Sequence, residues 1–250
     1  MGKITKEWVQ AALKLADNGQ SKLTEREREL FGLSSERLRC LINNVCAVKD
    51  ISYLEIGIYR GSTALAAAYG NDTTRVVGVD NFKYDEREPD KWAPEGFIHS
   101  NMKSQMEANL ARYTTGDNGV TLDNIEIIES SFEDIDWDKQ KKFDVVFFDV
   151  VPVNTSLYDD FFNKTLKAMN TEAVLMFSQY SNPEHARDLE AALLRHADKL
   201  DVTWQEKRTN SGTSNANHYY SGVSIYGIKK KTVKVVATPK TPAKIVVKDA

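Results

Sequence analysis

Apolar positions in the first fifty residues recur at helical spacing. Residues 4–17 set Trp8, Ala11, Ala12, Leu13 and Leu15 among polar neighbours, and residues 22–31 carry a charged TEREREL face. Ser34-Ser35-Glu36 then opens a helix through Leu41, Val45 and Cys46 that ends near Lys49-Asp50. These helices read either as a cap over one end of the downstream fold or as padding against it. From residue 51 the pattern changes to short apolar runs separated by helical stretches. Strands are predicted at 51–56, 75–79, 124–130, 143–150, 173–180, 202–207 and 219–228. Helices fall between them: one opened by Gly61-Ser62-Thr63, one over about 99–112, and one capped by Asn154-Thr155 with Leu157, Phe161, Phe162 and Leu166 on one face. The last runs from Asn182-Pro183-Glu184 to about 200. Strands alternating with helices point to an α/β fold around a parallel sheet. The almost unbroken apolar run FDVVFFDV at 143–150 suits a central strand covered on both faces.

The most informative stretch is 51–80, ISYLEIGIYRGSTALAAAYGNDTTRVVGVD. It reads as strand, glycine turn, helix rich in small residues, strand, and a terminal acid, Asp80. In an open parallel sheet ligands bind outside the carboxyl ends of the strands, and an acid ending the second strand can accept both hydroxyls of a ribose. A dinucleotide fingerprint requires G-x-G-x-x-G, so that the second glycine admits a pyrophosphate. Counted from Gly57, that second glycine is Tyr59 and the third position is Ser62, so the fingerprint fails where phosphate must approach. What remains is Glu55-x-Gly57-x-x-x-Gly61 followed by Asp80.

Composition narrows the class. The chain has 250 residues, 41% hydrophobic and 28% charged, which describes a soluble globular protein of one domain with appendages. No run approaches the roughly 18 apolar residues of a membrane span, and MGKITKEWVQ has no apolar signal core. A cytoplasmic protein without membrane partners is expected. Cys40 and Cys46 are not spaced as C-x-x-C and the four histidines complete no zinc pattern, so buried reduced thiols are expected and no metal site. The net charge of −3 divides unevenly: residues 229–250 carry +6, leaving −9 on the first 228. An acidic body is a poor match to a nucleic-acid backbone. The basic tail, without helical periodicity, is expected to be flexible.

The pattern Glu55-x-Gly57-x-x-x-Gly61 with Asp80 resembles motif I and the second-strand acid of class I S-adenosylmethionine (SAM)-dependent methyltransferases. Over about 35–228 the likeness is greatest to small-molecule and sugar O-methyltransferases similar to the macrocin O-methyltransferase group. The segments Leu41-Ile42-Asn43-Asn44-Val45-Cys46 and Tyr53-Leu54-Glu55-Ile56-Gly57 also resemble predicted methyltransferases of marine bacteriophages. The resemblance implies a Rossmann-like sheet of seven strands, mostly parallel with the last antiparallel. It divides the chain into a helical cap (1–50), a SAM-binding domain (51–228) and the tail (229–250). It places the cofactor against Glu55, Gly57, Tyr59, Gly61 and Ser62 around the turn, and against Asp80 and Asn81 after the second strand. Ser131 or Phe132 would meet adenine, and Asp149 would border the transferred methyl. S-adenosylhomocysteine would be the product.

Departures from related branches are as telling. The catechol-type branch binds a divalent metal through an Asp after the fourth strand and an Asp-Asn pair after the fifth. Here Asp149 remains, but Phe177-Ser178-Gln179-Tyr180 replaces the pair and Asn182 is the nearest amide. One carboxylate and one amide make a thin shell for a hard cation. Nucleic-acid base methyltransferases carry Asn/Asp-Pro-Pro-Tyr/Phe, which Asp149-Val150-Val151-Pro152 does not supply. The expected activity is methyl transfer to an oxygen of a small molecule, with Asp149, His99 and His218 as candidate bases. Trp92, Phe97 and His99 fall in a long polar loop suited to a lid, and Asn215, Asn217, His218 and Tyr219 in a loop expected on the acceptor rim. A SAM-fold scaffold without catalysis and an NAD-dependent oxidoreductase are the alternatives, the latter disfavoured by Tyr59. Oligomeric state is open, a homodimer included.

Overall fold

Seven strands form one sheet in the order β3-β2-β1-β4-β5-β7-β6. The computed structural model describes residues 2–28, 30, 32, 34–83, 102–114, 123–150, 156–178, 180–209, 219 and 221–231. The strands are β1 (Ser52–Ile56), β2 (Arg75–Asp80), β3 (Ile125–Glu129), β4 (Phe143–Phe148), β5 (Met169–Ser178), β6 (Leu200–Arg208) and β7 (Val223–Lys230). β1 pairs parallel with β2 and β4, β2 with β3, and β4 with β5, whereas β7 runs antiparallel to both β5 and β6. This is the Rossmann-like sheet of seven strands expected from the sequence.

Among the described residues seven α-helices accompany it: α1 (Lys6–Asp17), α2 (Glu25–Arg28), α3 (Glu36–Val45), α4 (Ser62–Ala68), α5 (Met102–Thr114), α6 (Leu157–Thr165) and α7 (Pro183–Arg195). Strand alternation sorts the core into two layers. Tyr53, Val145, Phe147, Val174, Met176 and Ile225 face α1, α3, α4 and α5, while Leu54, Ile56, Val77, Phe148, Leu175 and Phe177 face α6 and α7. Every residue of β4 is buried, as its apolar run requires. α1 and α3 contribute Val9, Leu13, Leu41 and Ile42 to the first layer, so they pad the sheet.

α4 is buried along its whole length, which its small side chains permit. Its last carbonyls are met by a side chain from α3: Asn43 Nδ2 donates to the Ala66 and Tyr69 carbonyls, both at 2.8 Å. Asn44 Nδ2 donates to Gln20 O at 2.8 Å, tying the α1–α2 connection to the same helix. Asn43 thus fixes the small-residue helix, and Asn44 the chain after α1, against α3.

Some boundaries differ from the sequence expectation. Among the described residues α2 covers Glu25–Arg28, and the buried Arg39 guanidinium takes the carbonyls of Arg28 and Leu30. α7 stops at Arg195, with His196 at its C-cap, and β6 already begins at Leu200. β5 starts at Met169, four residues early, because Asn170 anchors there by donating to Asp144 Oδ1 at 2.7 Å. β7 starts late, at Val223, and just before it Gly222 N–H bonds Tyr219 O at 2.7 Å. It also extends to Lys230, two residues into the stretch expected as tail. Asn154 and Thr155, expected to cap α6, lie outside the described residues. Both cysteines are free and buried. Among the described residues no helix is long and apolar enough to cross a membrane.

Candidate functional site at the strand ends

The carboxyl ends of β1, β2, β3 and β4 lie side by side, and each brings a polar residue to the same edge. Glu55 on β1 is fully buried on the α4 face. Tyr53, two residues back on the same face, donates its hydroxyl to Glu55 Oε2 at 2.8 Å, and the Thr63 hydroxyl of α4 donates to Oε1. Burial pushes the Glu55 carboxyl up to about 8, with Asp149 and Asp80 adding to the rise and the two hydroxyls opposing it.

The turn after β1 is shaped by neighbours on every side. Gly57 has φ +89°, and a Cβ there would lie 2.5 Å from the Asp149 carbonyl oxygen. Glycine is thus required both by the left-handed backbone and by the approach of the β4 end. Its N–H bonds Val79 O at 2.8 Å, and Asp149 N–H bonds Ile56 O at 2.9 Å, so β1 is clasped from both sides. Ile58 packs over Gly78 of β2, where a Cβ would come within 2.8 Å of its side chain. Gly61, at φ +78°, closes the turn through its N–H to Ile58 O at 2.7 Å. α5 covers the turn: Met106 lies against Gly61, and Asn109 Nδ2 donates to Arg60 O at 3.1 Å. Ser62 shares a 3.0 Å hydrogen bond with Ser34, from the segment that precedes α3.

Tyr59 stands where a dinucleotide fingerprint has its second glycine. Its backbone is left-handed, with φ +50°, and its N–H donates to Asp80 Oδ2 at 2.9 Å. Its ring lies 5.5 Å from the Arg60 guanidinium. Asp80 Oδ1 accepts the N–H of Phe82 at 2.7 Å, so both carboxylate oxygens are held by backbone amides. Asn81 is exposed and its side-chain oxygen accepts the Lys83 N–H at 2.9 Å.

At the end of β3 the Ser131 hydroxyl donates to Glu133. Phe132 opens a single 3-10 turn with its ring in the core, edge-on to Phe148 at 5.7 Å, so a contact with a ligand falls to its backbone. Its carbonyl accepts the Trp137 indole N–H at 2.8 Å.

Asp149 follows β4 and is partly exposed. Protein atoms crowding its carboxyl raise it to about 6, and the nearby Ser178 hydroxyl at the end of β5 pulls the other way. Asn182, the nearest amide for a catechol-type metal shell, instead caps α7 by accepting the Glu184 N–H at 2.9 Å. Tyr219, expected on the acceptor rim, is buried and gives its hydroxyl to Asp17 Oδ1 at 2.8 Å, so it does not face an acceptor. Trp92, Phe97, His99, Asn215, Asn217 and His218 lie outside the described residues. Sequence reasoning overlooked Tyr53, Thr63, Ser178 and Phe82 as parts of this edge. Strand periodicity could have flagged Tyr53, two residues before Glu55, but nothing local marks the others. A cavity of about 410 Å³ lined by Ile4, Thr5, Ala173, Trp204 and Gly227 shares no residue with this edge.

No family model and no curated protein matches the chain. Solved structures do. TrmN from Thermus thermophilus superposes with a TM-score of 0.53 at 15% identity, covering 82% of this chain and 52% of that one. Precorrin-6y C5,15-methyltransferase from Geobacter metallireducens superposes with a TM-score of 0.51 at 13% identity, covering 78% of this chain and 88% of that one. The chain thus spans about half the length of TrmN. At these identities the likeness shows that the fold is shared with methyltransferases.

Proposed function

We propose that this protein transfers a methyl group from SAM to an oxygen of a small metabolite or sugar, without a bound metal. The observation that carries the reading is the chemistry at the strand ends: three carboxylates, Glu55, Asp80 and Asp149, around a glycine turn whose second-glycine position is Tyr59. Asp80 and Asp149 disfavour a pyrophosphate, while Glu55, protonated without ligand and ionising against a cation, suits a cofactor that is cationic at its amino acid end and carries a ribose diol. The residues present therefore fit SAM and disfavour NAD.

Bound there, SAM supplies a methyl already activated by its sulfonium. Asp80 accepts the ribose hydroxyls, Glu55 holds the ammonium group directly or through water, and Ser131 with the Phe132 backbone borders the adenine. Asp149, next to the methyl, is the first candidate to take the acceptor's proton, with His99 and His218 as the others. The glycine turn and α5 orient the cofactor and keep water from it. A small acceptor is favoured over nucleic acid by the acidic body of the chain.

Calorimetry with SAM, S-adenosylhomocysteine and NAD tests the cofactor. The first two should bind and NAD should not, and Asp80→Ala should weaken SAM by more than about tenfold, since charge-assisted bonds to two hydroxyls are lost. Equal binding of NAD, or unchanged SAM affinity in folded Asp80→Ala, would reject the assignment. Turnover on a panel of hydroxylated metabolites and sugars, with tRNA alongside and with EDTA present, tests acceptor and metal. Methylation of tRNA alone would overturn the small-molecule reading.

A further inference from the structure

Among the described residues only three besides glycine have left-handed backbones: Asp50, Tyr59 and Phe82. Two of these meet at one side chain. Tyr59, in the turn after β1, and Phe82, just past the end of β2, each have φ +50° and each point a backbone N–H at Asp80. The left-handed region is uncommon for bulky side chains and persists where the surroundings enforce it. Around Tyr59 the turn is pinned by Gly61 N–H to Ile58 O and by Asn109 of α5 to Arg60 O. Phe82 is pinned by its ring, which is half-buried and packs against the first apolar layer of the core.

We infer that Tyr59 and Phe82 are positioning residues that fix the Asp80 carboxylate for a ribose diol, a role that rests on the cofactor reading above. A carboxylate oxygen has two acceptor sites. One site on each oxygen is occupied by an amide, at 2.9 Å on Oδ2 and 2.7 Å on Oδ1, which removes the rotation of the group. The second site on each oxygen serves one ribose hydroxyl. The Phe82 ring acts through its own backbone: without that anchor the residue relaxes to an ordinary negative φ and its N–H turns away from Asp80.

The test compares S-adenosylhomocysteine with its 2′-deoxy analogue by calorimetry in wild type, Phe82→Ala and Phe82→Gly, with Tm as the control for folding. Wild type should prefer the full ribose by about tenfold or more, the scale of a hydrogen bond to a charged acceptor. Phe82→Ala should reduce that preference to within about threefold. Phe82→Gly also lacks the ring, but glycine adopts the left-handed conformation freely, so it should keep more of the preference than Phe82→Ala. A role in packing alone predicts the opposite, with the ratio unchanged and Phe82→Gly at least as damaging as Phe82→Ala. An unchanged ratio in a folded variant overturns the inference while leaving the cofactor reading in place, whereas no ribose preference in wild type overturns the inference together with the ribose role of Asp80. Wild type that binds neither ligand removes the cofactor reading itself.

Discussion

Tyr53 and Glu55 share one face of β1, and the hydroxyl of the first donates to the carboxyl of the second at 2.8 Å beneath α4. The acid that opens the glycine turn is thus held within the core, with Thr63 on its other oxygen.

The folded chain should accordingly lose stability as Glu55 ionises. Its carboxyl stands raised to about 8 against an ordinary 4.5, so its contribution is complete below about pH 4.5 and is lost as pH rises through about 8. Without ligand, the Tm of wild type should fall between about pH 4.5 and 8 and level off above that, and Glu55→Gln should fall less. Parallel curves for the two proteins would show that Glu55 carries no proton at neutral pH.

A cationic ligand reverses that balance, because it favours the carboxylate. SAM affinity should therefore strengthen as pH rises toward 8, with a proton released on binding. Calorimetry in buffers of different ionisation enthalpy measures the release directly. The Thr63 hydroxyl holds the Glu55 pKa down, so Thr63→Val should move the rise in affinity to higher pH. A pH profile unaltered in Thr63→Val would remove that hydroxyl from the linkage.

Gly57→Ala should damage fold and binding together. Its Cβ would sit 2.5 Å from the Asp149 carbonyl oxygen, on a backbone at φ +89° that alanine resists. A destabilisation of about 2 kcal/mol or more is expected, from strain and from separation of the β1 and β4 ends. Thermal melts check it, and a Tm equal to wild type would mean the strand ends yield freely.

Where the chain is cut near its end should matter sharply. Lys230 pairs with Leu200, its Nζ donates to the carbonyls of Leu166 and Met169, and Lys231 N–H bonds Lys199 O at 2.8 Å. Truncation after Lys231 should leave Tm within about a degree. Truncation after Ile228 should lower it by several degrees, since about 1 kcal/mol per lost hydrogen bond is worth about 2–4 °C at this size. Equal melting of the two truncations would mean that the end of β7 contributes nothing.

Much of this architecture is legible in the sequence. The alternation of apolar runs with helical stretches gives all seven strands, and Asn182-Pro183 marks the start of α7 to the residue. Glu55, Gly57 and Asp80 could be picked out because each stands at a strand end, where topology gives a residue meaning independent of its distant neighbours. What escapes is whatever depends on a partner far along the chain. Asp17, 202 positions earlier, holds the Tyr219 hydroxyl that was expected at the rim. Arg39, eleven positions on, takes the Arg28 carbonyl. The reason for Gly57 is likewise distant: its missing side chain makes room for the backbone of β4, whereas the turn alone would ask only for a positive φ.

The place of β7 between β5 and β6 governs the order in which the molecule can be completed. β6 pairs with no other strand of the sheet, so while it leaves the ribosome its backbone amides and carbonyls have nothing to join. They stay open until the following strand threads antiparallel between it and β5. Synthesis therefore carries an interval in which a nine-residue strand is made but unpaired, and β7 ends that interval by closing both seams at once.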